Sequence, residues 1–81
     1  MRDEILKYHR IRDLRSDNNY SQTFVAKHLQ IAQNTLSQYE TGERNVPNEV
    51  LIQLASFYGT SVDYLLGLTD DPKPYPRKRI K

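Results

Sequence analysis

A chain of 81 residues has room for one domain, and its lack of cysteine removes disulfide staples and cysteine-rich zinc sites together. No apolar run approaches the roughly 18 residues of a membrane span, and the N-terminus lacks a signal-peptide pattern, so the expected compartment is the cytoplasm. The net charge of +2 hides a division: residues 1–72 carry seven Lys/Arg against ten Asp/Glu, whereas residues 73–81 carry five Lys/Arg and no acid.

In chain order, the first predicted helix runs from Asp3 to about Asp17, with Tyr8, Ile11 and Leu14 at three-residue steps. Asp3 and Glu4 suit its N-terminus, and Asn18 or Asn19 can stop it in a left-handed conformation. Ser21 is a good N-cap for a second helix reaching about Leu29, with Val25, Ala26 and Leu29 on the buried stripe. Gln30, Ile31 and Ala32 make a tight turn. A third helix follows from Gln33 to Thr41, with Leu36 and Tyr39 inward and Gly42 as its stop.

Beyond the polar loop Glu43–Asn45, Pro47 is expected in the first turn of a fourth helix. Val50, Leu51, Leu54, Ala55 and Tyr58 face inward there, and Gly59 ends it. Ser61 caps a short fifth helix, Val62 to Leu66, closed by Gly67. From Asp70 onward, prolines at 72, 74 and 76 predict an extended or disordered segment. The expected organisation is an all-α, compact five-helix domain over 1–70, then a proline-rich basic tail over 71–81.

Ala26, Ile31, Leu36 and Tyr39 are spaced as two helices crossing steeply through a short turn require. With Leu36 anchored underneath, Gln33, Asn34, Ser37 and Gln38 are left facing outward. Glutamine and asparagine can pair bidentately with adenine in the major groove, at about 1–3 kcal/mol of discrimination per good contact. Ser21 and Gln22 open the second helix, whose N-terminal amides suit a backbone phosphate. Arg44 and Lys27 are read as candidate phosphate contacts, with solvated surface charges as the alternative, and Thr35 and Asn45 join the candidate backbone contacts. His9 and His28 lack further ligands at metal spacing, so no metal or other cofactor is expected. Glu40 reads as the partner of a structural hydrogen bond or salt bridge. No nucleophile sits beside a base and no Gly-rich phosphate loop is present, so an enzyme is not expected.

The segment SQTFVAKHLQIAQNTLSQYETGERNVP, followed by VLIQLASFYGTSVDYLLGLTD, resembles the Cro/phage-repressor-like (Xre-type) helix-turn-helix family of bacterial regulators, from about Tyr8 to Asp70. The resemblance implies a lambda-repressor-like five-helix DNA-binding domain, acting as a homodimer on a two-fold operator. It places Gln22 at a phosphate, Gln33, Asn34, Ser37 and Gln38 at or near bases, and Gly42–Asn45 along the backbone of double-stranded DNA. Two positions depart from the family pattern. Gln30 stands where glycine is usual, and Ala32 stands where a serine or threonine would cap the recognition helix.

The expected function is that of a sequence-specific transcriptional regulator, a repressor on a palindromic operator. The alternative is an antitoxin-like or other protein-binding helix-turn-helix module, suggested by the acidic body. Val62, Leu65, Leu66 and Leu68, with Ile52 and Phe57, exceed what one small core can hide and are expected to include the dimer contact. The tail is left with three readings: a phosphate or minor-groove arm, a reach to a partner subunit through Tyr75 and Ile80, or a solubilising end.

Overall fold

A computed structural model describes residues 9–74, which form α1 (His9–Asp17), α2 (Gln22–Leu29), α3 (Gln33–Thr41), α4 (Asn48–Tyr58) and α5 (Val62–Leu65). All the regular structure among them is helical. The expected first turns of helix 1, with Asp3, Glu4 and Tyr8, lie outside the described residues, as does the tail from Tyr75 on.

Four helix ends use one device. A residue with positive φ turns the chain, and its successor's N–H reaches back across the last turn to a carbonyl that would otherwise lack a partner. Tyr20 N–H donates to Arg15 O (3.0 Å), Ile31 to Ala26 O (3.0 Å), Thr60 to Ala55 O (2.8 Å) and Leu68 to Asp63 O (2.9 Å). The turning residues are Asn19 (φ 59°), Gln30 (φ 62°), Gly59 and Gly67. Asn19 accepts this conformation readily. Gln30 carries a Cβ where glycine would be free of strain, at a cost of about 1 kcal/mol.

At the N-termini, Ser21 Oγ accepts from Phe24 N–H (3.0 Å) and Ser61 Oγ from Tyr64 N–H (3.0 Å). Ala32 caps α3 with no side-chain bond, as its methyl group dictates. Pro47 departs from expectation by one position. It is the N-cap of α4, with extended ψ of 154°, rather than part of the first turn.

The core gathers Ile11, Val25, Ala26, Leu29, Leu36, Tyr39, Val46, Val50, Leu51, Leu54, Ala55 and Leu65. Val46 was not anticipated, because a single apolar residue between polar loop positions carries no periodic signal. Leu65 corrects the interface expectation. It is 1% exposed, sealed between α1 and α4 of its own chain, and has no surface to offer a second copy. Phe57 is likewise half-buried, packed edge-on against Tyr58 (4.9 Å between ring centroids) and tilted against Tyr20 (5.6 Å).

The chain after α5 is also more tied down than its prolines suggest. Arg10 in α1 donates to the carbonyls of Tyr64 (2.9 Å) and Thr69 and to Asp70 Oδ1 (2.7 Å), with its guanidinium 4.2 Å from the Tyr64 ring centre. Thr60 Oγ–H then donates to Pro72 O (2.6 Å). Residues 66–72 therefore run back alongside α5 as a strap, ending beside the C-terminus of α4.

Candidate nucleic-acid interface

Helix α3 has two unlike sides. Leu36, Tyr39 and Glu40 are buried, whereas Gln33 and Asn34 are exposed and Thr35, Ser37 and Gln38 are half-exposed. The outward side carries no charge, and every side chain on it ends in an amide or a hydroxyl. Its orientation follows from α2, whose small Ala26 allows close packing, and from Leu36, which is fully buried. Ile31 lies half-buried against the core in the turn between the two helices. At the C-terminal end Gly42 adopts φ 85° and Arg44 N–H donates to Gln38 O (3.3 Å), which lays the loop across the last turn of α3. Arg44 and Asn45 are exposed there, and Lys27 is exposed on α2.

A chain of polar contacts connects the core to this face. Arg15 donates through Nε to Glu40 Oε2 (2.7 Å), through Nη2 to Glu40 Oε1 (3.0 Å) and through Nη1 to Tyr20 O (3.1 Å). Glu40 Oε1 also accepts from Gln22 Nε2 (3.0 Å), and Gln22 Oε1 accepts from Gln33 Nε2 (2.8 Å). The hydrogen bonds to Glu40 raise the Arg15 pKa above its ordinary value, against the opposing effect of burial. The carboxylate is 2% exposed, so its charge is compensated almost wholly by this guanidinium and the Gln22 amide.

Gln22 therefore has a role that the sequence did not reveal. Its carbonyl oxygen and one N–H are spent inside the protein, bridging Glu40 to Gln33, and only its second N–H is left for a phosphate. Gln33 in turn has one N–H committed to Gln22, so its carbonyl oxygen and remaining N–H define its outward chemistry. Glu40 is the anchor of a structural ion pair, as its place near the end of α3 suggested. Its partner Arg15 was not singled out, although an arginine four residues after the buried Ile11 was the available signal.

Tyr58 lies beside this network. Its buried hydroxyl has no hydrogen-bond partner among the described residues, and burial followed by the nearby Glu40 pushes its pKa up to about 12. Among the described residues no group of three or more His, Cys, Asp or Glu could hold a metal ion, and no helix is long and apolar enough to cross a membrane.

Comparison with known proteins agrees with this architecture. Residues 11–65 match the family described as Helix-turn-helix. In Bacillus subtilis (strain 168), an uncharacterized HTH-type transcriptional regulator, YobD, is 40% identical over 73 residues, covering 89% of this chain and 65% of the relative. The HTH-type transcriptional regulator ImmR of the same organism is 38% identical over 58 residues (72% of this chain, 46% of the relative), and AnsR, also an HTH-type transcriptional regulator, is 35% identical over 68 (84% and 59%). The chain thus spans about half to two thirds of the length of these relatives. No solved structure matches. With α2 and α3 crossing through the Gln30–Ala32 turn inside a five-helix domain, the chain belongs to the Cro/phage-repressor-like (Xre-type) helix-turn-helix family.

Proposed function

We propose that this protein is a sequence-specific DNA-binding transcriptional regulator, a repressor that places α3 in the major groove of a palindromic operator as a homodimer. The observation carrying the reading is the pre-set amide of Gln33. Adenine offers the N6 amino group as donor and N7 as acceptor on its major-groove edge. A glutamine whose inner N–H is already held by Gln22 presents the matching pair, carbonyl oxygen and outer N–H, without first losing rotamer freedom. Asn34, Ser37 and Gln38 extend the polar face to neighbouring bases. Ser21, Gln22, Thr35, Lys27, Arg44 and Asn45 flank it as backbone contacts, helped by the N-terminal amides of α2.

For the two-fold contact, Val62, Leu66 and Leu68 remain from the expected set, with Ile52. Leu68 is 72% exposed and Ile52 56%, so both have apolar surface to bury in such a contact. A dimer of this class places its recognition helices about 34–36 Å apart, which sets the half-site spacing.

Selection of bound duplexes from a random pool, followed by titration of the selected site, tests the reading. The expected product is a two-fold symmetric site. Gln33→Ala and Asn34→Ala should each weaken the selected site by about 1–3 kcal/mol while leaving non-specific binding unchanged. A pool that yields no preferred sequence, or unchanged affinity in both variants, overturns it. A stoichiometric protein partner without DNA affinity would put the protein-binding alternative in its place.

A further inference from the structure

An aromatic surface on the flank of the domain rests on the core through Tyr20 and Phe57, yet its outer side takes no part in base reading. Tyr20, Phe24 and His28 recur at four-residue steps along one side of α2 and its approach, and Phe57 of α4 lies against the row. The ring centroids are 4.8 Å apart for Tyr20–Phe24, 5.6 Å for Tyr20–Phe57 and 4.4 Å for His28–Phe57. Phe24 is 49% exposed. With His28, Leu29, Gln53 and Ser56, Phe57 also walls a cavity of about 240 Å³ that opens to solvent.

We infer that this groove is the seat of the protein's own C-terminal segment, Tyr75–Lys81, and that the seated segment carries its cations to the DNA phosphate beside the N-terminus of α2. The inference rests on the DNA-binding reading above, and four observations support it.

The strap delivers the chain to the spot. Thr60 holds Pro72 O, and Thr60 is only two residues beyond Tyr58, whose ring packs on both Phe57 and Tyr20. The reach is sufficient in length, because seven residues follow Pro74 and an extended chain can advance about 3.1 Å per residue.

The chemistry also matches. Proline-spaced segments dock in aromatic-lined grooves at little entropic cost, and here Pro72, Pro74 and Pro76 alternate with Lys73 and Tyr75. The Tyr75 ring suits the cavity beside Phe57, which sets Arg77, Lys78 and Arg79 over the Tyr20–Phe24 end, next to the Ser21 cap. Finally, the charge is needed. The outward face of α3 is neutral and residues 1–72 are net acidic, so the phosphate-neutralising charge resides mainly in this segment.

The test uses the full chain, Tyr75→Ala and the triple variant Arg77→Gln/Lys78→Gln/Arg79→Gln. Aromatic-ring NMR spectra are recorded without DNA, and affinity for the selected duplex is measured across a salt series. Tyr75→Ala should shift the ring resonances of Phe57 and His28 and weaken DNA binding several-fold with every charge retained. The triple variant should lower the salt slope by about two to three, near 0.9 per lost phosphate contact.

An unchanged salt slope overturns the phosphate contact, and unchanged rings in Tyr75→Ala overturn the docking. Ring shifts that instead track protein concentration assign the groove to a second copy and also overturn it. A wild-type chain with no preferred duplex sinks the functional reading, whereas the ring shifts still report on the docking.

Discussion

Arg10 and Arg15 stand five residues apart on the same helix, and they do opposite kinds of work. Arg15 points into the domain and neutralises a carboxylate that is 2% exposed. Arg10 lies over the last helix and meets a carboxylate that is 97% exposed, with two backbone carbonyls and the Tyr64 ring as its other partners. The first ion pair fixes where α3 sits relative to α1 and α2. The second fixes only where the chain leaves α5. Identical side chains on one helix thus act on the placement of α3 in one case and on the path of the chain after α5 in the other, and burial of the partner decides which.

Removing Arg15 should produce the largest effect. Arg15→Ala leaves Glu40 charged and buried with the Gln22 amide alone, a loss of about 3–5 kcal/mol. That is a large fraction of the 5–15 kcal/mol typical of a small domain, and it should appear as a greatly lowered midpoint in urea unfolding. The double variant Arg15→Met/Glu40→Leu should regain most of that stability, because neither charge remains buried. It should bind the selected duplex less well than the wild type, since Gln22 loses its anchor and Gln33 its fixed pose. Recovered stability together with wild-type affinity would show that the relay does not tune recognition.

Arg10→Ala sharpens the comparison from the other side. Two carbonyl bonds and the contact with Tyr64 are lost, but no charge is left buried, so about 1–2 kcal/mol is expected. Asp70→Asn should barely move the urea midpoint, because an exposed pair of this kind is screened by salt and water. If Arg10→Ala matched Arg15→Ala in cost, exposure of the partner would not be the deciding variable.

The two arginines also mark where reading the sequence stopped. The helices, their caps at Ser21 and Ser61, the stops at Gly42 and Gly59 and the outward amides of α3 follow from local rules with a fixed spacing. Their positions were therefore legible, with Pro47 one residue off. The Arg15–Glu40 and Gln33–Gln22–Glu40 contacts join residues 11 to 25 positions apart, and no periodicity encodes which polar side chains meet across a helix crossing. Leu65 was misjudged for a related reason. Leu65 ends the four-residue α5 and Leu66 is its C-cap, a stretch too short for periodicity, and only the packing against α1 and α4 separates the buried Leu65 from the exposed Leu66.

The turn between α2 and α3 offers a smaller effect with the sign reversed. Gln30 sits at φ 62° with its N–H donated to Lys27 O (3.1 Å), and its side chain is exposed. Gln30→Gly removes the Cβ strain and keeps the backbone bond, so a gain of about 0.5–1 kcal/mol is expected in urea unfolding. A loss would mean that the added freedom of the unfolded chain outweighs the strain relieved.

The smallest effect is confined to alkaline solution and comes from Tyr58, whose ring stands between the buried ion pair and the aromatic groove. Burial and the neighbouring Glu40 charge disfavour its phenolate, lifting the pKa from 10.0 to about 12 in the folded protein. Below pH 10 the phenol is neutral in both folded and unfolded chains, and the full stability is present. Between about pH 10 and 12 the unfolded chain releases this proton while the folded one retains it, so stability must fall as pH rises. Tyr58→Phe cannot ionise, and its stability should decline less steeply across that window than the wild type's. Near neutral pH the same substitution should change little, because the hydroxyl it removes has no hydrogen-bond partner among the described residues. Equal alkaline slopes in the two proteins would mean that the ring turns its hydroxyl to water before titrating, and that this side of the Arg15–Glu40 pair is looser than its packing suggests.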